Sequence, residues 1–200
     1  MKTLGIFIIT MILGTSLSFA GGYEVGDKAT DFSLKNVDGR NVSLADFDDA
    51  KGFIVVFTCN HCPYSVKYED RILALDAMYK DKGYPVIAIN PNDPARQPED
   101  SFELMKERAK EKKFTFPYLV DETQEYALAY GAARTPHVFV LKREGSDLIV
   151  KYIGAIDNNA KSAELANEKY IENALDALLA GNDPEVNYTK ALGCTIKWKE

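Results

Sequence analysis

The stretch GFIVVFTCNHCP, residues 52–63, constrains this chain more than any other. Its first six residues are apolar and rich in β-branched and aromatic side chains, the composition of a strand buried on both faces. Such a strand belongs in the middle of a sheet, and helices must cover that sheet on each side. Beyond the cysteines, Tyr68, Ile72, Leu75 and Tyr79 recur at helical spacing with Glu69, Asp70, Arg71 and Asp76 between them. The pattern predicts one amphipathic helix closed by Gly83. Cys59 and Cys62 therefore stand where a strand feeds a helix.

The flanking chain fits the same architecture. DFSLKNVDGRNVSL alternates apolar and polar residues about Asp38-Gly39, a hairpin signal. PVIAIN reads as a second buried strand and PNDPARQPED as the loop after it. Asp100, with Glu103 three residues on, reads as a capping box that opens a helix carrying Phe102, Met105 and Ala109 on one face. FPYLV predicts a short strand, TQEYALAY a short helix stopped at Gly131, and HVFVLKREGSDLIVKYIG a hairpin turning at residues 144–146. Ile171, Ala174, Leu175, Leu178 and Leu179 form the stripe of a last helix ending at Gly181. This order predicts an α/β fold: a central mixed sheet flanked by helices, with an N-terminal hairpin and an inserted helix and strand.

A cysteine at a strand-to-helix junction meets the unpaired amides and positive dipole end of the helix. Those favour thiolate, and in C-x-x-C pairs they bring the pKa from about 8.5 into the range ~3.5 to 7.5. Cys59, the first and more exposed, is then the nucleophile, and Cys62 releases it from a mixed disulfide. His61, inside the pair, can stabilise the Cys59 thiolate, and Pro63 fits the first helical turn. Further on, ARTPHVF places Thr135-Pro136 at the mouth of a strand, where an X-Pro bond can be cis. Such a loop leaves the Thr135 backbone free to pair with an extended substrate strand. His137 begins that strand. Cys194 is the odd cysteine: either a thiol filling an apolar niche between Leu192 and Ile196, or a third redox thiol.

Together GFIVVF running into CNHC, TPHVFV and the DFSLKNVDGRNVSL lead-in resemble the thioredoxin fold over roughly residues 23–180. They are similar to the redoxin group that holds TlpA- and ResA-like proteins and the AhpC/TSA peroxiredoxins. TCNHCPYS, INPNDP, RTPHVFV and GCTIKW resemble most its peroxiredoxin-like thioredoxin subgroup. The resemblance implies Cys59 as nucleophile, Cys62 as resolving thiol and Pro136 as a cis-proline facing them. It also implies protein thiols and disulfides as substrates, an upstream redox partner such as a membrane electron donor, and no cofactor. The chain departs from the thioredoxin pattern at Thr58, where tryptophan is usual, and at Phe53, where a buried acid serves as proton acceptor. Asp93 and Glu69 are candidates for that missing role.

Rival readings are weaker. A peroxidatic cysteine would fall at Cys62, with threonine three residues earlier and proline seven earlier; Cys59 and Val55 stand there. Cys59, Cys62, Cys194 and either His61 or His137 could ligate copper(I) or zinc, but the two-residue spacing suits a redox dithiol better. No G-x-x-x-x-G-K or G-x-S-x-G occurs. Residues 1–20 place Lys2 before an apolar run and end on Ser18-Phe19-Ala20, the layout of a cleavable export signal. The expected organisation is a signal peptide at 1–20 and a single redoxin domain at 21–200, with a tail from about 182, acting in the periplasm. The 24 basic and 30 acidic side chains, a net charge of -6, disfavour nucleic acid as a partner.

Overall fold

The computed structural model describes residues 21–200, so the export signal expected at 1–20 lies outside the described residues. The apolar run forms strand β4 (Gly52–Phe57), and period-2 geometry divides its side chains between two cores. Phe53, Val55 and Phe57 pack into one core, whereas Ile54 and Val56 pack into the other. Burial this complete contributes roughly 1.5–3 kcal/mol for each large side chain. The hairpin β8 (His137–Glu144) and β9 (Asp147–Gly154) pairs antiparallel with β4 on one side. On the other side β5 (Val86–Asn90) and β6 (Tyr118–Val120) continue in parallel.

The N-terminal segment closes both edges of the sheet with short strands. β1 (Lys28–Ala29) pairs with β9, and the expected hairpin, β2 (Leu34–Asn36) and β3 (Asn41–Val42), adds to β6. The order is β1-β9-β8-β4-β5-β6-β2-β3. Edges of two residues offer little backbone for unwanted pairing. Helices α1 (Pro63–Tyr79), α2 (Phe102–Lys112) and α4 (Tyr170–Leu179) supply Tyr68, Ile72, Leu75, Met105, Ile171 and Leu175 to the Ile54 core. The opposite core takes Ala127 and Tyr130 from α3 (Glu125–Tyr130), Phe32 and Leu44 from the N-terminal segment, and Ile196 from the tail. Among the described residues, no helix is long and apolar enough to cross a membrane.

Two local expectations need correction. Ser101, not Asp100, is the N-cap of α2, and Asp100 lies in a 3-10 turn with its carboxylate directed into the protein. Leu179 ends α4 exposed, because the stripe of Ile171, Ala174, Leu175 and Leu178 already fills the contact with the sheet.

The tail does not trail away. Thr189 N–H donates to the Ile153 carbonyl, and residues 194–195 form β10, which pairs antiparallel with β7 (Arg134–Thr135).

Candidate active site

β4 ends at Phe57, and the turn that follows delivers both cysteines to the start of α1. Cys62 is the N-cap of that helix and Pro63 its first residue, where the missing amide hydrogen costs nothing. Thr135-Pro136 is cis, as the resemblance implies, and Thr135 faces the pair. The Cys62 thiol donates to the Thr135 carbonyl at 3.2 Å, and the Thr135 hydroxyl lies 3.2 Å from Cys59 Sγ. Ser65 Oγ and His61 Nδ1 approach Cys59 Sγ at 3.8 and 3.7 Å. All three cysteines are free thiols. Cys59 is 2% exposed and Cys62 fully buried, so the solvent access expected of Cys59 is almost absent in this closed arrangement.

Asp100, read from sequence as a helix cap, is the acid of the site. Its carboxylate accepts from the Asn60 amide at 2.7 Å, the His61 amide at 3.2 Å, Asn92 Nδ2 at 2.7 Å and His61 Nδ1 at 2.5 Å. Four donors on one buried carboxylate fix the C-x-x-C turn, and they commit the His61 Nδ1 hydrogen to Asp100. Neither acid suggested by sequence fills this place. Glu69 lines the same small cleft as Cys59, but Arg108 grips it with two bonds at 2.6 and 2.8 Å. Asp93 accepts from the Ala95 amide in the loop after β5.

The Cys59 and Cys62 thiols act on each other's ionisation. Interaction with Cys59 pulls Cys62 down to about 4 against the effect of burial, helped by the Cys194 thiol and the Ser65 amide. That same interaction, then burial, then the charge of Asp100 push Cys59 up. The first ionisation is easy and the second is opposed. The direction is thus downward for Cys62 and upward for Cys59, the reverse of the sequence expectation.

A model of the AhpC/TSA family matches residues 25–152. The chain belongs to the AhpC/TSA family. Among curated relatives it is 26% identical over 123 residues to the thiol-disulfide oxidoreductase ResA of Halalkalibacterium halodurans, an alignment covering 61% of this chain and 65% of that protein. The alignment thus spans just under two thirds of that relative. Among solved structures, a conserved protein of Geobacillus kaustophilus is 40% identical, with a TM-score of 0.81 over 88% of this chain and 93% of that one. The thioredoxin domain of a thiol-disulfide oxidoreductase from Bacteroides vulgatus shares the fold, with a TM-score of 0.52 at 22% identity over 66% of this chain and 91% of that domain.

Against that AhpC/TSA background, three placements stand out. Cys59, His61 and Asp100 present sulfur, nitrogen and oxygen within 4.8 Å of one another. Tetrahedral bonds of about 2 Å would hold two ligand atoms about 3.3 Å apart. His61 Nδ1 and Asp100 Oδ2 lie at 2.5 Å, so this is the geometry of a hydrogen bond. His137 is outside the cluster: its Nδ1 accepts from the Ala133 amide, and burial, then the charge of Arg134, hold its pKa down at about 4. It is a neutral ring beside Phe139. Finally, the Thr135 backbone is not free. Cys194 stands opposite Thr135 in the β7–β10 ladder, which corrects the expectation of an open edge. No periodic signal in ALGCTIKWKE forecasts that return; Gly193, where the backbones nearly touch, is its one trace.

Proposed function

We infer that this chain is a thiol-disulfide oxidoreductase in which Cys59 and Cys62 exchange two electrons with disulfides or thiols of other proteins. The observation that carries the reading is the meeting of both sulfurs with Thr135 and the cis Pro136 at the N-terminus of α1. The ResA name of the curated relatives points the same way.

Cys59 attacks the substrate disulfide as its proton passes to Cys62, so the resolving sulfur serves as the base that Phe53 cannot be. The departing substrate sulfur takes the proton from Cys62. Cys62 thiolate then attacks Cys59, closing the Cys59–Cys62 disulfide and releasing the second substrate sulfur. His61 and Asp100 position the turn that carries Cys59. Residues 1–20 support export to the periplasm, where an upstream donor or acceptor resets the pair.

Cys62→Ser is expected to accumulate mixed disulfides with a protein substrate. Cys59→Ser should trap none and lower exchange by about a hundredfold or more. Non-reducing gels and a protein-disulfide reduction assay check both. Trapping by Cys59→Ser alone would reverse the roles, and fast peroxide turnover without protein exchange would make the chain a peroxidase.

A further inference from the structure

Cys194 is half-buried and lies in the ladder that covers the cis-proline loop. Residues directly opposite in an antiparallel pair project to the same face, with Cβ atoms about 4.5–5.5 Å apart. The Cys194 side chain therefore shares the face of Thr135, whose hydroxyl and carbonyl touch Cys59 and Cys62. That face places it beside Cys62, and the two thiols act on each other's ionisation.

The segment is seated for this. Any Cβ at Gly193 would collide with the Thr135 carbonyl and the Pro136 nitrogen, so only glycine lets β10 come so near. Arg134 holds the Gly193 carbonyl at 2.9 Å, Asn92 Oδ1 accepts from the Lys197 amide at 2.8 Å, and Gln124 both donates to the Lys197 carbonyl and accepts from the Lys199 amide. The strand occupies the backbone edge that an extended substrate would use.

We propose that Cys194 is a third redox thiol, presented by β10 as a built-in substrate, which opens the Cys59–Cys62 disulfide at Cys62. The step rests on the dithiol reading above. Cys194, as thiolate, attacks Cys62 Sγ; the Cys62–Cys194 bond forms as the Cys59–Cys62 bond breaks. Cys59 leaves with the electron pair and takes up the proton that Cys194 gave up. The site keeps its two-electron oxidation, so no further oxidant enters. The product has a free Cys59 and a β10 bonded covalently over the Thr135 edge. The substrate edge is therefore closed in this oxidised form and opens when reduction, or return attack of Cys59 on Cys62, frees Cys194.

Equilibration of the full chain in glutathione buffers, acid quenching, alkylation of free thiols and tryptic mapping test this. Cys59 and Cys62 share the peptide 52–67, whereas Cys194 lies in 191–197. The wild-type chain should yield both the loop-linked peptide 52–67 and a cross-linked pair, which fragmentation assigns to Cys62–Cys194. Cys59→Ser should convert almost wholly to the cross-linked pair. Gly193→Val, which pushes β10 off Thr135, should reduce that pair at least about tenfold while the Cys59–Cys62 link persists. Absence of the pair from the wild-type chain at every potential, with glutathione caps in place of a link in Cys59→Ser, overturns the proposal. A Cys194→Ser chain unable to form the Cys59–Cys62 link overturns instead the dithiol reading beneath it.

Discussion

Asp100 is the residue whose role the fold changes most. An acid followed three residues later by glutamate, ahead of an apolar face, has the form of a helix cap, and nothing local says otherwise. Only the path of the loop after β5 turns its carboxylate toward Asn60 and His61, two residues some forty positions away. After the interaction with Cys62 and burial, its charge is the next influence that opposes ionisation of Cys59. Asp100→Asn removes that charge while leaving an oxygen to accept. The reduced dithiol should then be stabilised and the reduction potential should rise, by about 30 mV if the equilibrium constant moves tenfold. A glutathione titration of the variant beside the wild-type chain reads this directly. An unchanged or lowered potential would assign Asp100 to the geometry of the turn alone.

At the scale of elements, the central strands and the helices are plain in the sequence because each carries its own pattern, whereas the two-residue edge strand β1 carries none. β4 is a continuous apolar run, α1 and α4 repeat at helical spacing, and the β2–β3 and β8–β9 hairpins have glycine at or beside their turns. β10 has no such signature. It is two residues long, its pairing partner lies some sixty positions earlier, and what fixes it is tertiary contact. Ile196 supplies part of that contact, being buried in the same core as Phe57 and Tyr130. Ile196→Ala should cost about 2–5 kcal/mol, the range for emptying a buried aliphatic site, whereas Leu192→Ala, at a largely exposed position, should cost little. Urea unfolding of the two variants checks the contrast. Equal small losses would mean that the tail is not seated on the core.

For the molecule as a whole, stability is tied to pH through His137. Its folded-state pKa is held near 4 by burial and by Arg134, against 6.5 for the free side chain. Between those values the unfolded chain binds a proton that the folded chain refuses. This penalty is absent above pH 6.5 and grows as pH falls toward 4, reaching up to about 3 kcal/mol. His137→Gln should flatten the decline in unfolding free energy between pH 6.5 and 4 relative to the wild-type chain. Parallel slopes would show that the ring is solvated. Asn92 joins distant parts of the same molecule: its amide nitrogen serves Asp100, and its oxygen takes the Lys197 amide. Any binding event that draws the last residues outward thus unsettles a hydrogen-bonding partner of the acid beside Cys59, and the dithiol registers a grip on the chain's end without being touched.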